Sequence, residues 1–170
     1  ADTNYTKFKI TLQILLTTRG IPKLFYGSEI GLAGGGHHGR IREAFPGGFP
    51  FSNQNAFEEI GRDSVQNDLF NFTKKLIDLR NSNSALKTGK LIQFPPYDDV
   101  YIYFREDDEN TFMIIINDNE ETKEIDLSFV DHKLKGFNKA EAFLGNHNLT
   151  LGEKPSLKMN SKCGEIFLLK

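Results

Sequence analysis

Apolar positions recur every three or four residues over the first half of the chain and every second residue beyond Gly89, so the patterning changes once from helical to extended. Tyr5, Phe8, Leu12 and Leu15 share one face of a first helix. Ile10, Ile14 and Leu16 make its other side apolar too, which predicts a deeply buried helix. Asn4 ahead of it supplies a cap, Gly20 and Pro22 supply the stop, and the helix is predicted to end near Thr18. Ile21–Tyr26 then reads as a short buried parallel strand between a glycine turn and Gly27. Helix, short turn and buried strand make half of an α/β repeat.

From Gly31 to Gly61 the chain is rich in Gly, Asn and Pro and has no sustained period, the length and composition of a functional loop. A second helix is predicted from Asp63, where Asp63 and Gln66 have capping-box spacing and Leu69, Phe72, Leu76 and Leu79 step by three and four. It should fade at Asn81-Ser82-Asn83. Val100, Ile102 and Phe104 then alternate with Tyr101 and Tyr103, and Phe112, Ile114 and Ile116 alternate similarly. The polar turns at Asp107–Asn110 and Asn117–Asn119, with a last run from Gly164 to Leu169, complete an antiparallel β-domain. The switch of period places the boundary near Ala85 to Gly89.

Composition narrows the function classes. With 170 residues, 38% hydrophobic and 26% charged, the chain lies in the globular range. A net charge of −2 gives no field for gathering nucleic acid or acidic lipid, and no apolar stretch approaches the ~20 residues of a membrane span. The single cysteine, Cys163, excludes an internal disulfide and reads as core filler beside Ile166–Leu169. Trp is absent, which counts against a complete sugar-binding groove.

Chemistry-bearing motifs are few. GLAGGGHHGR lacks the Lys and Ser/Thr of a phosphate loop, and His37 and His38 are neighbours that point apart without a further metal ligand at useful spacing. A loop exposed to solvent or to sugar suits them better. Glu29 stands alone beyond the predicted strand, whereas glycosidic hydrolysis with retention needs two carboxylates ~5 Å apart. No catalytic residue is therefore assigned. The acceptor-like triplets at Asn4, Asn71 and Asn148 are treated as coincidences of pattern.

TTRGIPKLFYGSEIGL resembles the segment around the eighth barrel strand of the α-amylase family (glycoside hydrolase family 13), through Arg19, Gly20, Tyr26, Gly27 and Glu29. HHGRIREAFPGGF is similar to a loop of its neopullulanase and cyclomaltodextrinase members. LIDLRNSNSALKTGKL resembles the last barrel helix leading into the C-terminal domain. The resemblance implies the end of a (β/α)8 TIM barrel, its last strand and flanking helices, over residues 1–84. An antiparallel β-sandwich follows over 85–170.

The same resemblance implies a parent that hydrolyses α-1,4-glucosidic bonds of starch-like glucans or cyclodextrins with retention. Its nucleophilic Asp, acid Glu and third Asp would lie upstream, so this chain alone is expected to be inactive. His37, His38 and Arg42 are expected to face sugar, with Phe45 and Phe49 as stacking or loop-anchoring groups and Tyr26 and Glu29 as frame. His37 and His38 replace a frequent Asp and Phe49 a frequent Trp. No cofactor or metal is expected in this chain, and calcium is admitted for the parent. Expected partners are an α-glucan or maltooligosaccharide, the N-terminal part of the barrel, and further copies of the chain through exposed barrel faces. Two alternatives are a non-catalytic amylase-like partner subunit and a stand-alone carbohydrate-binding β-module.

Overall fold

The computed structural model describes residues 3–34, 36–39, 43–144 and 148–170, so Arg42 lies outside the described residues. These form two compact units, Pro22–Asp78 and Ala1–Ile21 with Leu79–Lys170.

The larger unit is built on a six-stranded antiparallel sheet. Its strands are β1 (Lys90–Gln93), β2 (Val100–Glu106), β3 (Thr111–Asn117), β5 (Lys139–Ala142), β6 (Leu149–Thr150) and β8 (Cys163–Leu169), in the order β1-β2-β3-β8-β5-β6. A second sheet pairs β4 (Lys123–Asp126) with β7 (Ser156–Met159). Ile125, Leu157 and Met159 of this small sheet meet Ile102, Phe104, Met113, Ile115 and Phe167 of the large one in a single core. This is the expected antiparallel sandwich. Each such side chain contributes about 1.5–3 kcal/mol when fully buried.

The middle strands are buried on both faces, because a helix covers the side away from the small sheet. Helix α1 runs Thr3–Thr17, so Asn4 lies inside its first turn rather than ahead of it. Its Leu12, Gln13, Leu16 and Thr17 are buried, as are Tyr103, Arg105, Phe112 and Ile114 on β2 and β3. The helix is therefore buried along one stripe, while Tyr5, Phe8, Ile14 and Leu15 are only partly covered. Of its polar members, Thr17 shares a hydroxyl hydrogen bond with Tyr103, whereas Gln13 Nε2 is buried without a hydrogen-bond partner among the described residues.

The end of α1 is held by two buried arginines. The Arg105 guanidinium donates to the Thr17 carbonyl at 2.7 Å and to that of Gly89 at 3.1 Å. Arg80 donates to the carbonyls of Leu16 and Thr18, both at 2.9 Å, and to Gly20. The last carbonyls of a helix have no donor of their own and sit at the negative end of its dipole, so two cations stabilise them strongly.

Helix α2 (Ser64–Ser82) starts where expected, and the capping box is reciprocal: Gln66 N–H donates to Asp63 Oδ1 at 2.8 Å and Asp63 N–H to Gln66 Oε1 at 3.1 Å. A short helix α3 (Ser84–Lys87) follows. Ile21–Tyr26 is not a strand: none of the eight strands pairs with it, and Ile21 is 98% exposed. A strand exists only through a ladder, and among the described residues none is offered to this segment. The end of a barrel is therefore not visible as such. Among the described residues no helix is long and apolar enough to cross a membrane.

Cys163 is partly buried against the core, and its Sγ donates to the Asn160 carbonyl. Burial, and then the charge of Glu165, push its thiol up to about 11. A thiol raised in the folded state adds stability below its unfolded pKa of about 8.5, and loses it as pH climbs towards the folded value. At pH 8 iodoacetamide should therefore label Cys163 on the order of a hundredfold more slowly in the folded chain than in urea. Equal rates would show that the thiol is not shielded.

Candidate functional site

The smaller unit is mostly loop, and hydrogen bonds do the work that regular structure does elsewhere. Gly27 and Gly31, both at positive φ, bracket a 3₁₀ turn at Ser28–Ile30 that holds Glu29. Leu32 N–H closes it by donating to the Gly27 carbonyl at 2.8 Å. Ahead of it, Tyr26 donates its hydroxyl to the Glu43 carbonyl at 2.8 Å and ties the segment to the loop containing Phe45.

In that loop Pro46 is followed by Gly47 at φ 119° and Gly48 at φ 79°. A Cβ at Gly47 would lie 2.6 Å from Asn55 Oδ1 and 2.9 Å from its Cα, so only glycine permits this approach. The Ala56 N–H reaches the Pro46 carbonyl at 2.7 Å, and Gly47 N–H donates to Ser52 Oγ. The returning strand of the loop is fastened to the start of α2 by Arg62. This residue donates to Asn67 Oδ1 and to the Ala56 and Phe57 carbonyls, and lies 4.0 Å above the Phe70 ring.

The result is an open cup of about 400 Å³ lined by Tyr26, Phe45, Gly47, Gly48, Phe49 and Phe57. Phe45 and Phe57 lie with ring centroids 4.5 Å apart and planes tilted by 40°. Phe49 and Phe57 are each 65% exposed and Tyr26 45%, so rigid backbone presents aromatic faces to solvent. Such faces suit the apolar side of a ring that carries its polar groups around its edge.

Phe45 and Phe49 are thus brought together. Tyr26, assigned to the frame, also lines the cup, and Phe57 was missed because nothing local marks a partner twelve residues from Phe45. His37 and His38 are exposed with centroids 6.3 Å apart and do not line the cup. Among the described residues no three His, Cys, Asp or Glu side chains gather as a metal site.

Comparison with known proteins adds the relatives. The Cyclo-malto-dextrinase C-terminal domain family matches residues 91–163. A maltogenic alpha-amylase of Bacillus acidopullulyticus is 34% identical over 127 residues, 72% of this chain and 19% of its own length. A cyclomaltodextrinase of a Bacillus species is 30% identical over 71% of this chain and 19% of its own length. The chain therefore spans about a fifth of these curated relatives. Among solved structures, the alpha-amylase of Geobacillus thermoleovorans complexed with acarbose has a TM-score of 0.76 at 22% identity. The likeness covers 98% of this chain and 33% of that one. An Anoxybacillus alpha-amylase has a TM-score of 0.73 at 23% identity, over 96% and 32% of the two chains. At these identities the likeness establishes fold alone.

Proposed function

The chain belongs to the α-amylase family of glycoside hydrolases, and from that premise we propose that it forms the C-terminal part of a retaining enzyme acting on α-1,4-glucosidic bonds of starch-like glucans or cyclodextrins. In this reading residues 1–84 are the end of the (β/α)8 barrel and 85–170 its trailing β-sandwich. The catalytic carboxylates belong to other strands of the barrel, calcium, where needed, binds there too, and the rest of the barrel is the chain's first partner. Two observations support the division. The structural likeness to alpha-amylases extends over 96–98% of the chain and so reaches well beyond the β-sandwich. Phe51 and Ile60 are 94% and 93% exposed, as apolar groups are when the elements that cover them are elsewhere; copies of the isolated chain would self-associate through them.

The observation that carries the site is the cup of exposed rings at Phe45, Phe49 and Tyr26. A glucose unit offers an apolar C–H face to such rings and hydroxyls to their surroundings. Arg42, His37 and His38 belong to the same loop and supply planar and ring donors for those hydroxyls. Structures of related fold hold acarbose and maltotriose, ligands of this chemistry.

The test uses the full-length protein and the 170-residue chain side by side. The former should open β-cyclodextrin or maltoheptaose with retention of anomeric configuration, and the latter should release no reducing sugar, lacking the carboxylate pair. In the full-length protein Arg42→Ala should lower kcat/KM for maltooligosaccharides by the equivalent of about 1–3 kcal/mol while leaving Tm unchanged. An unaltered kcat/KM removes Arg42 from the binding site. Absence of hydrolysis by the full-length protein favours the non-catalytic partner subunit instead.

A further inference from the structure

Phe57 presents an exposed ring to the cup, yet its backbone lies in a turn and belongs to no helix or strand. Hydrogen bonds from neighbouring side chains hold it instead. The segment doubles back tightly: Glu58 N–H donates to the Asn55 carbonyl at 3.2 Å and Gly61 N–H to that of Glu58 at 3.1 Å. A Cβ at Gly61 would lie 1.9 Å from the Asn55 carbonyl oxygen, so only glycine permits the return. Phe57 N–H donates to Asn55 Oδ1 at 3.3 Å, and the Phe57 carbonyl accepts from Arg62 Nη1, also at 3.3 Å. The same nitrogen donates to the Ala56 carbonyl at 3.0 Å. Both polar groups of the Phe57 backbone are thus engaged, and its ring rests on Gly48, where a Cβ would meet Phe57 Cε2 at 3.3 Å.

Arg62 is itself fixed in advance. Its Nε donates to Asn67 Oδ1 at 2.8 Å, and its guanidinium lies 4.0 Å above the Phe70 ring. Asn67 and Phe70 stand three residues apart on α2 and so share a face of that helix. Asn67 in turn donates its amide to the Glu59 carbonyl at 3.0 Å and to that of Arg62 at 3.2 Å. The guanidinium therefore refers the turn that carries Phe57 to a regular helix rather than to more loop. A planar fork suits this task, because separate nitrogens engage the helix and the turn at the same moment.

A ring that its ligand must first order gives up part of the contact energy, whereas a ring held beforehand keeps it. Arg62 does not line the cup and so acts only through what it holds. We infer that Arg62 is a positioning residue for glucan binding: through the Ala56 and Phe57 carbonyls it holds the Phe57 ring beside Phe45, ready for the C–H face of a glucose unit. The inference rests on the proposed glucan reading of the cup.

The test uses the full-length protein with maltoheptaose. Arg62→Met, which keeps the length of the side chain and loses every donor, should raise KM about fivefold and leave kcat within about twofold. Phe57→Ala, at an exposed ring, should raise KM by at least as much. Adding Arg62→Met to Phe57→Ala should then change nothing further, since the ring to be positioned is gone. Arg62→Lys, with the charge but not the fork, should fall between Arg62→Met and the parent. Amide exchange at Ala56 and Phe57 should quicken about tenfold in Arg62→Met, a readout independent of turnover. If Arg62→Met does not fold, Asn67→Ala, which releases Arg62 Nε, carries the same comparison. Three results overturn the positioning role while the glucan reading stands: KM unchanged by Arg62→Met although Phe57→Ala raises it, an equal rise with and without the Phe57 ring, and a loss confined to kcat. A KM indifferent to Phe57→Ala removes the ring from the substrate and overturns the inference together with the sugar-binding cup. If the full-length parent does not turn over, the hydrolysis reading fails by itself, and the same variants are compared by calorimetric Kd for maltoheptaose; absence of binding there overturns the inference as well.

Discussion

Replacing Arg105 with methionine should lower the stability of the 170-residue chain by about 3 kcal/mol, the largest effect expected of any conservative-volume substitution in the sandwich. Exchanging a buried charge for a well-packed apolar side chain is often neutral or even stabilising, so the sign needs an argument. Here the partners are not a carboxylate that could be removed with it. They are the carbonyls of Thr17 and Gly89, which belong to the backbone and stay behind. Thr17 is the last residue of α1 and fully buried, so its carbonyl has neither a helical donor nor water to turn to. Each unpaired buried acceptor costs about 1–3 kcal/mol, more than the relief of desolvating one well-delocalised guanidinium returns. Burial first, and then the neighbouring Arg80 charge, already hold the Arg105 guanidinium below its ordinary pKa, yet it stays charged at any accessible pH. Urea unfolding should show a lower midpoint with an unchanged slope, and Arg105→Lys, which keeps the charge but loses the fork, should recover about half. A methionine variant as stable as the parent would show that α1 does not need this cap.

Much of the fold is legible in the sequence where the signal is local. The extent of α2 follows from its own stepping hydrophobics and from the Asp63–Gln66 box, both contained within the helix and its first turn. β2 and β3 follow from alternating apolar runs, and β8 from the last apolar run of the chain. The failures are non-local. Ile21–Tyr26 has the composition of a buried strand, but a strand is a relation between segments, and among the described residues no strand pairs with it. α1 was read as apolar all round, whereas the face it buries carries Gln13 and Thr17, chosen by what Tyr103 and Arg105 present from the sheet. Arg105 itself opens the hydrophilic run Arg105–Asn110 and gives no hint of being the largest fully buried side chain.

The site divides in the same way. Phe45 and Phe49 flank Pro-Gly-Gly, whose two glycines adopt positive φ and let the backbone fold back on Asn55. Phe57, which lines the cup, and Arg62, which fastens the backbone behind it, escape because they are placed through Asn55, Ala56 and Asn67, by hydrogen bonds that no periodicity encodes.

Gly89→Ala should cost about 2–4 kcal/mol, although φ at this position lies outside the left-handed region. The conformation itself would accept alanine; the space would not. A Cβ there would lie 2.4 Å from the Ala85 carbonyl oxygen, 2.6 Å from that of Glu106 and 2.7 Å from the Ala85 Cα. All three atoms are backbone, one pair in α3 and the other at the end of β2, so no side-chain rotation relieves the clash. The junction between the helix and β1 must move as a whole. Gly136→Ala is the control: it has φ 94° and nothing within 4 Å, so it should lose only the roughly 1 kcal/mol of left-handed backbone. Because the Gly89 carbonyl accepts from Arg105, moving the junction also loosens that contact. Gly89→Ala and Arg105→Met should therefore be less than additive in a double-mutant cycle, by about 1 kcal/mol, whereas Gly136→Ala with Arg105→Met should add. Strict additivity of the first pair would place the strain of Gly89→Ala entirely in α3 and break the proposed link between this glycine and the cap of α1.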